Sequence, residues 1–99
     1  MSLLAEMSIF PMDKGSSVSP YVARMVQIIR DSGLDYRLHA MGTTLEGSWA
    51  EVMEVVDNCF KDLEQDCDRI YMVLKLDYKK QEHDQLEHKV QAVEERIQS

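Results

Sequence analysis

Eight residues in mid-chain, Met41-Gly42-Thr43-Thr44-Leu45-Glu46-Gly47-Ser48, carry hydroxyls and a carboxylate at a density that a plain connector does not need. Hydroxyls donate and accept, and an ionised carboxylate accepts only, so such a set suits recognition of a polar molecule by hydrogen bonding. Bond-making chemistry finds less support. A hydrolase or transferase needs a nucleophile beside a base, a phosphate-cradling glycine loop or spaced metal ligands. Lys14-Gly15-Ser16-Ser17 lacks the length and the lysine placement of such a loop. His39 falls in a strand with no nucleophile near it in sequence. His83 and His88, flanked by Glu82, Asp84 and Glu87, are five residues apart and fall on different sides of a helix. No metal site, no cofactor and no catalytic residue is expected.

The elements around that segment follow from periodicity. Leu3 to Phe10 reads as a strand with Leu3, Ala5, Met7 and Ile9 facing a core and Leu4, Glu6, Ser8 and Phe10 on the other side, ending at Pro11. After a loop, Ser19-Pro20 supplies an N-cap residue and a proline at the first helical position. The helix runs to Ser32 with Gly33 at C′, burying Tyr21, Val22, Met25, Val26 and Ile29.

Met41-Gly42 is expected to be a two-residue turn, pairing Ala40 with Thr43, Leu38 with Leu45 and Tyr36 with Gly47. On the opposite face His39 then meets Thr44, and Arg37 meets Glu46. Ser48-Trp49-Ala50-Glu51 is a capping box opening a second helix, with Trp49, Val52, Met53, Val56, Cys59, Phe60 and Leu63 as its apolar stripe. A last strand, Arg69 to Asp77, sets Ile70, Met72, Leu74 and Leu76 against Tyr71, Val73, Lys75 and Asp77. A polar stretch from Lys79 to Asp84 leads to a final helix with a narrow seam of Leu86, Val90, Val93 and Ile97.

This order is strand, helix, strand, strand, helix, strand. It is the α+β ferredoxin-like split βαβ sandwich (βαββαβ) with an additional C-terminal helix. One domain over 1–99 is expected, with the core in 1–78 and the polar connector and helix in 79–99. Two helices cover one face of a four-stranded antiparallel sheet. The other face collects Glu6, Ser8, Phe10, Arg37, His39, Thr44, Glu46, Tyr71, Val73 and Lys75, too mixed for bulk water and too polar for a core. A second subunit or a small ligand is expected against it.

Eighteen acidic against eleven basic residues leave a net charge of −7, which disfavours nucleic acid and anionic membrane as partners. No apolar run approaches the roughly 20 residues of a spanning helix, so a soluble, cytoplasmic protein is expected. Cys59 and Cys67 are expected to be reduced thiols.

Across nearly the whole chain the sequence resembles the small thiamine-binding proteins. The likeness rests on Ala5-Glu6-Met7-Ser8-Ile9 with Pro11, Ser17-Val18-Ser19 with Tyr21-Val22-Ala23, and Ser32-Gly33-Leu34 with Tyr36. It continues through Met41-Gly42-Thr43, Leu45-Glu46-Gly47, and Lys89-Val90 with Val93-Glu94-Glu95. The resemblance implies a non-catalytic binder of thiamine or its hydroxymethylpyrimidine half, assembled as a homodimer or homotetramer through its sheets.

The ligand-binding residues it implies are Glu6, Ser8, Ser17, Ser19, Met41, Gly42, Thr43, Thr44 and Glu46. An aminopyrimidine edge suits Ser8, Thr43, Thr44 or Glu46, a thiazolium cation suits Glu6, and Phe10 or Tyr71 can stack on either ring. The chain has Asp77-Tyr78-Lys79-Lys80 where many members carry an arginine-rich stretch, and His88 where glycine is common. A phosphate or hydroxyl contact from that stretch is therefore not carried over, which argues against a phosphorylated ligand. The alternatives are a small-substrate enzyme with an interfacial active site, and a purely structural or regulatory oligomer.

Overall fold

The computed structural model describes residues 2–80 and 83–97. Its elements are β1 (Ser2–Pro11), α1 (Ser19–Asp31), β2 (Asp35–His39), β3 (Gly42–Gly47), α2 (Trp49–Glu64), β4 (Ile70–Lys79) and α3 (Gln85–Glu94). The sheet order is β2-β3-β1-β4, every neighbouring pair antiparallel. This is the ferredoxin-like arrangement with an added C-terminal helix.

The strict alternation of β1 determines the layers. Leu3, Ala5, Met7 and Ile9 are buried and join Leu45 from β3, Met25 and Ile29 from α1, and Val52, Val55, Cys59 and Leu63 from α2 in one core. Burying each large aliphatic side chain of this set contributes about 1.5–3 kcal/mol. Pro11 is the last residue of β1, as the sequence predicts. It sits at the end of β1 opposite Ile70, and its missing N–H costs the ladder little there.

The two sheet-covering helices are tied together by charge. Arg24 of α1 donates from Nε to Asp62 at 2.9 Å and from Nη1 to Asp66 at 2.8 Å, while its guanidinium lies 5.4 Å from the centroid of the Tyr21 ring. Those hydrogen bonds hold the Asp66 carboxyl below the usual carboxylate range. The thiol of Cys59 is buried in the core and pushed up to about 12, first by desolvation and then by the nearby Asp62. It behaves as an inert core residue.

Helix starts differ from expectation at α1 and agree at α2. The residue capping α1 is Val18, whose side chain makes no cap bond, and Ser19 is already helical. Pro20 still occupies the first turn, where an absent N–H is harmless. At α2 the capping box is complete: Glu51 N–H donates to Ser48 Oγ at 3.1 Å, and Ser48 N–H donates to Glu51 Oε1 at 2.9 Å. The buried stripe of α2 is centred on Val52, Val55, Cys59 and Leu63, so it includes Val55 and leaves Trp49 exposed.

The hairpin corrects the expected register. The loop residues are Ala40 and Met41, Gly42 belongs to β3, and the pairs are Tyr36 with Leu45, Leu38 with Thr43 and His39 with Gly42. Gly42 is needed within the strand. Its φ is +155°, and a Cβ there would lie 2.9 Å from the Met7 carbonyl oxygen, so β3 can run this close to β1 only with glycine. The displacement is two residues, so each side chain keeps its expected face. The Arg37–Glu46 pair is nevertheless lost, and Arg37 contacts Asp35 instead.

The uncovered face is also shorter than expected. The start of α3 seats on it over one end of β1 and β3, where Glu46 accepts from the backbone N–H groups of Gln85 at 2.7 Å and Leu86 at 3.1 Å. Gln85 is fully buried and donates from Nε2 to the carbonyl oxygen and the hydroxyl of Ser2. Of the expected α3 seam only Leu86 is covered; Val90, Val93 and Ile97 are 55%, 62% and 67% exposed.

Candidate functional site

The face-preserving shift of the hairpin leaves Leu38 and Thr43 directed toward the helices and His39 and Thr44 toward the open face. Residues of α1 and of the β2–β3 turn border a common space. A pocket of about 280 Å³ opens there. Val18, Val22, Met25, Val26 and Ile29 of α1 form one wall, Met7 to Phe10 of β1 the floor, and Leu38 to Thr43 the other wall and the rim.

The pocket is mainly apolar with a few polar groups at one end. Thr43 is 5% exposed, so its hydroxyl is presented in a nearly dry environment where a hydrogen bond is stronger than in water. Ser8 and His39 also border it, although their side chains alternate to the open face. Phe10 lines the same space, its ring held by Tyr71 with centroids 5.7 Å apart and planes tilted by 33°. An apolar slot with a small polar cluster at one end suits a flat heterocycle bearing donors and acceptors along one edge.

Four of the nine residues implied by the sequence, Ser8, Met41, Gly42 and Thr43, come together in this pocket. The others do not join them. Glu6 and Thr44 line a shallow hollow on the open face with Leu4, Lys75 and Asp77. Glu6 lies 3.0 Å from Lys75 and 3.5 Å from His39, and His39 lies 3.1 Å from Thr44.

Glu46 is 8% exposed and committed to the start of α3, which removes it from the hairpin site. Ser19 lines a separate groove of about 460 Å³ along α1, and Ser17 is exposed in the preceding loop.

The α1 wall is the part that sequence reasoning did not assign to the site. Val22, Met25, Val26 and Ile29 fit a core stripe, and nothing in periodicity separates residues packed against a sheet from residues that also line a pocket. Val18 and His39 were equally hidden. Val18 falls in the predicted loop, and His39 belongs by alternation to the open face although its position beside the turn puts the residue on the pocket lining.

Among the described residues, no group of three or more His, Cys, Asp or Glu side chains is gathered as a metal site. Nor is any helix of those residues long and apolar enough to cross a membrane.

Comparison with known proteins gives the site its context. Residues 5–94 match the family described as thiamine-binding protein. The UPF0045 protein MJ1052 of Methanocaldococcus jannaschii is 34% identical over 93 residues, covering 94% of this chain and 93% of its own. Its crystal structure superposes with a TM-score of 0.87 over 95% of this chain and 97% of that one. The UPF0045 protein Mb1933 of Mycobacterium bovis is 36% identical over 95% of this chain and 93% of its own. A Thermotoga maritima structure, provisionally assigned to thiamine biosynthesis or salvage, is 25% identical with a TM-score of 0.83, covering 94% of this chain and 99% of that one.

Proposed function

Because the chain belongs to the thiamine-binding protein family, we propose that it binds thiamine or its hydroxymethylpyrimidine moiety, without chemical conversion, in the pocket between α1 and the β2–β3 turn. The observation that carries this reading is the nearly buried Thr43 among the mainly apolar residues that line the pocket. The aminopyrimidine ring enters between the α1 valines and β1. Its polar edge meets Thr43 and the turn backbone.

The arrangement of His39 supports binding over catalysis. A general base is oriented by one ring nitrogen while the other takes the proton. Here the contacts to Thr44 and to Glu6 converge on Nε2, and both lie on the open face rather than in the pocket. No relay runs from that carboxylate through the ring to a hydroxyl.

The second part of the proposal is assembly into a homodimer or homotetramer through the open face. Tyr71, Val73, Val90, Val93 and Ile97 are each more than 40% exposed, and the first two flank Phe10 at the rim of the pocket. Covering them would remove this exposed apolar surface from water. The protein would work free in the cytoplasm, delivering or buffering its ligand.

Thermal denaturation with added ligand tests the binding reading. Thiamine or hydroxymethylpyrimidine at about 100 times its dissociation constant should stabilise the fold by about 2.7 kcal/mol. An unchanged melting temperature at millimolar concentrations of both would overturn it. Sedimentation at micromolar protein tests assembly, and a lone 11.5 kDa species would count against it.

A further inference from the structure

The pocket under α1 does not end at its mouth. It shares Val18, Val22, Val26 and Leu38 with the groove of about 460 Å³ that continues along α1 toward the helix C-terminus, flanked by β2. The far end of the groove is lined by Arg30. Arg30 follows Val26 by about one helical turn, or ~6 Å along the axis. A ligand whose ring fills the pocket therefore extends along the groove with its tail directed at a guanidinium.

The charges around this path differ from those of the rest of the surface. The chain carries 18 carboxylate residues and a net charge of −7. Among the described residues none of those carboxylates lines either the pocket or the groove, and Arg30, on the groove, is the one permanently charged residue along the two. The neighbouring hollows are acidic by contrast, one lined by Asp31, Glu51 and Glu54 and another by Asp35, Glu46, Glu51 and Asp84.

Arg30 has no ion-pair partner among the described residues, whereas Arg24 and Arg37 are paired. The nearest acid in sequence, Asp31, accepts from Gln27 Nε2 at 2.8 Å. A purely cationic ligand would gain nothing from this charge pattern. A planar heterocycle ending in an anionic group would meet an unpaired guanidinium suited to bidentate contact with phosphate oxygens.

We propose that the ligand class is the phosphate ester of the thiamine-type alcohol, with the heterocycle in the α1 pocket and the phosphate at Arg30. This rests on the binding reading above and adds to it the identity of the tail. Because Arg30 is exposed, the phosphate advantage is moderate and sensitive to salt.

Calorimetric titration of the full chain with thiamine, thiamine monophosphate and inorganic phosphate, on wild type and on Arg30→Ala, tests it. The expected result at low salt is that the monophosphate binds about 3- to 10-fold more tightly than thiamine. That advantage should vanish in Arg30→Ala while thiamine affinity stays within about twofold, and inorganic phosphate alone should give no saturable binding. Equal affinity for the two compounds in wild type would overturn this inference and leave the binding reading standing. So would an advantage that survives Arg30→Ala. Absence of binding by both compounds would overturn the binding reading and this inference with it.

Discussion

Glu46 Oε2 accepts a hydrogen bond from the backbone N–H of Gln85 at 2.7 Å, joining residues 39 apart in sequence and supplying α3 with the N-terminal cap that its own sequence lacks. The residue before the helix, Asp84, is in the left-handed region at φ 55° and makes no side-chain cap bond. The carboxylate of β3 therefore fixes both the position and the start of α3.

Glu46→Ala should leave the buried N–H groups of Gln85 and Leu86 without acceptors. A loss of about 1–3 kcal/mol is expected. Chemical denaturation measures the loss, and hydrogen exchange should show amide protection falling first in 85–88. A loss below about 0.5 kcal/mol with unchanged protection would mean that α3 is held by other contacts.

Gly42→Ala puts a methyl group 2.9 Å from the Met7 carbonyl oxygen at a φ of +155°. The hairpin must shift away from β1, at a cost of about 1–3 kcal/mol. Ligand affinity should fall together with stability, since Gly42 and Met7 both line the pocket. Gly33→Ala provides a comparison. It is strained by its φ of +78° but meets no neighbour within 4 Å, so affinity should be retained.

The Arg24 clamp predicts a pH dependence. Side-chain hydrogen bonding from Arg24 lowers the Asp66 pKa in the folded state, so the unfolded chain binds the proton more readily. Its contribution is complete above the ordinary carboxylate pKa and disappears as pH falls through the lowered one. Asp77, lowered by its hydrogen bond from Lys89, acts with the same sign. Arg24→Ala should flatten stability against pH between about pH 5 and pH 2 and leave the slope near neutrality unchanged. An unchanged acid slope would show that the clamp does not survive in solution.

Much of this architecture is legible in the sequence because the signals are local. Alternation in β1, the Ser48–Glu51 box and Gly33 after α1 each depend on residues within one or two turns of each other. What escaped depends on contacts between distant segments. The position of Gly42 is set by the Met7 carbonyl on a neighbouring strand, and the hairpin turn is displaced with it. Arg37 opposite Glu46 is a reasonable pairing on paper, but the α3 amides compete for the same carboxylate and win with two hydrogen bonds.

The candidate site shows the same division. Ser8, Met41, Gly42 and Thr43 converge because β1 and β3 are adjacent, which the element order already implies. Thr44 is turned from Thr43 to the open face by one step of the pleat, and Glu6, which shares the face of Ser8, lies opposite Thr44 one pair further from the turn than Met7 and Thr43. The α1 wall belongs to the pocket only because α1 faces the β2–β3 turn across it, a tertiary placement on which a 3.6-residue period is silent.

The most direct measurement is calorimetric titration of thiamine into wild type and into Thr43→Val, which removes the buried hydroxyl while keeping its shape. Saturable binding to wild type with one ligand per chain, weakened about 5- to 10-fold in a Thr43→Val protein that still folds, is the predicted result. No saturable heat with wild type, or equal affinity in the two proteins, would contradict a site built around Thr43 beneath α1.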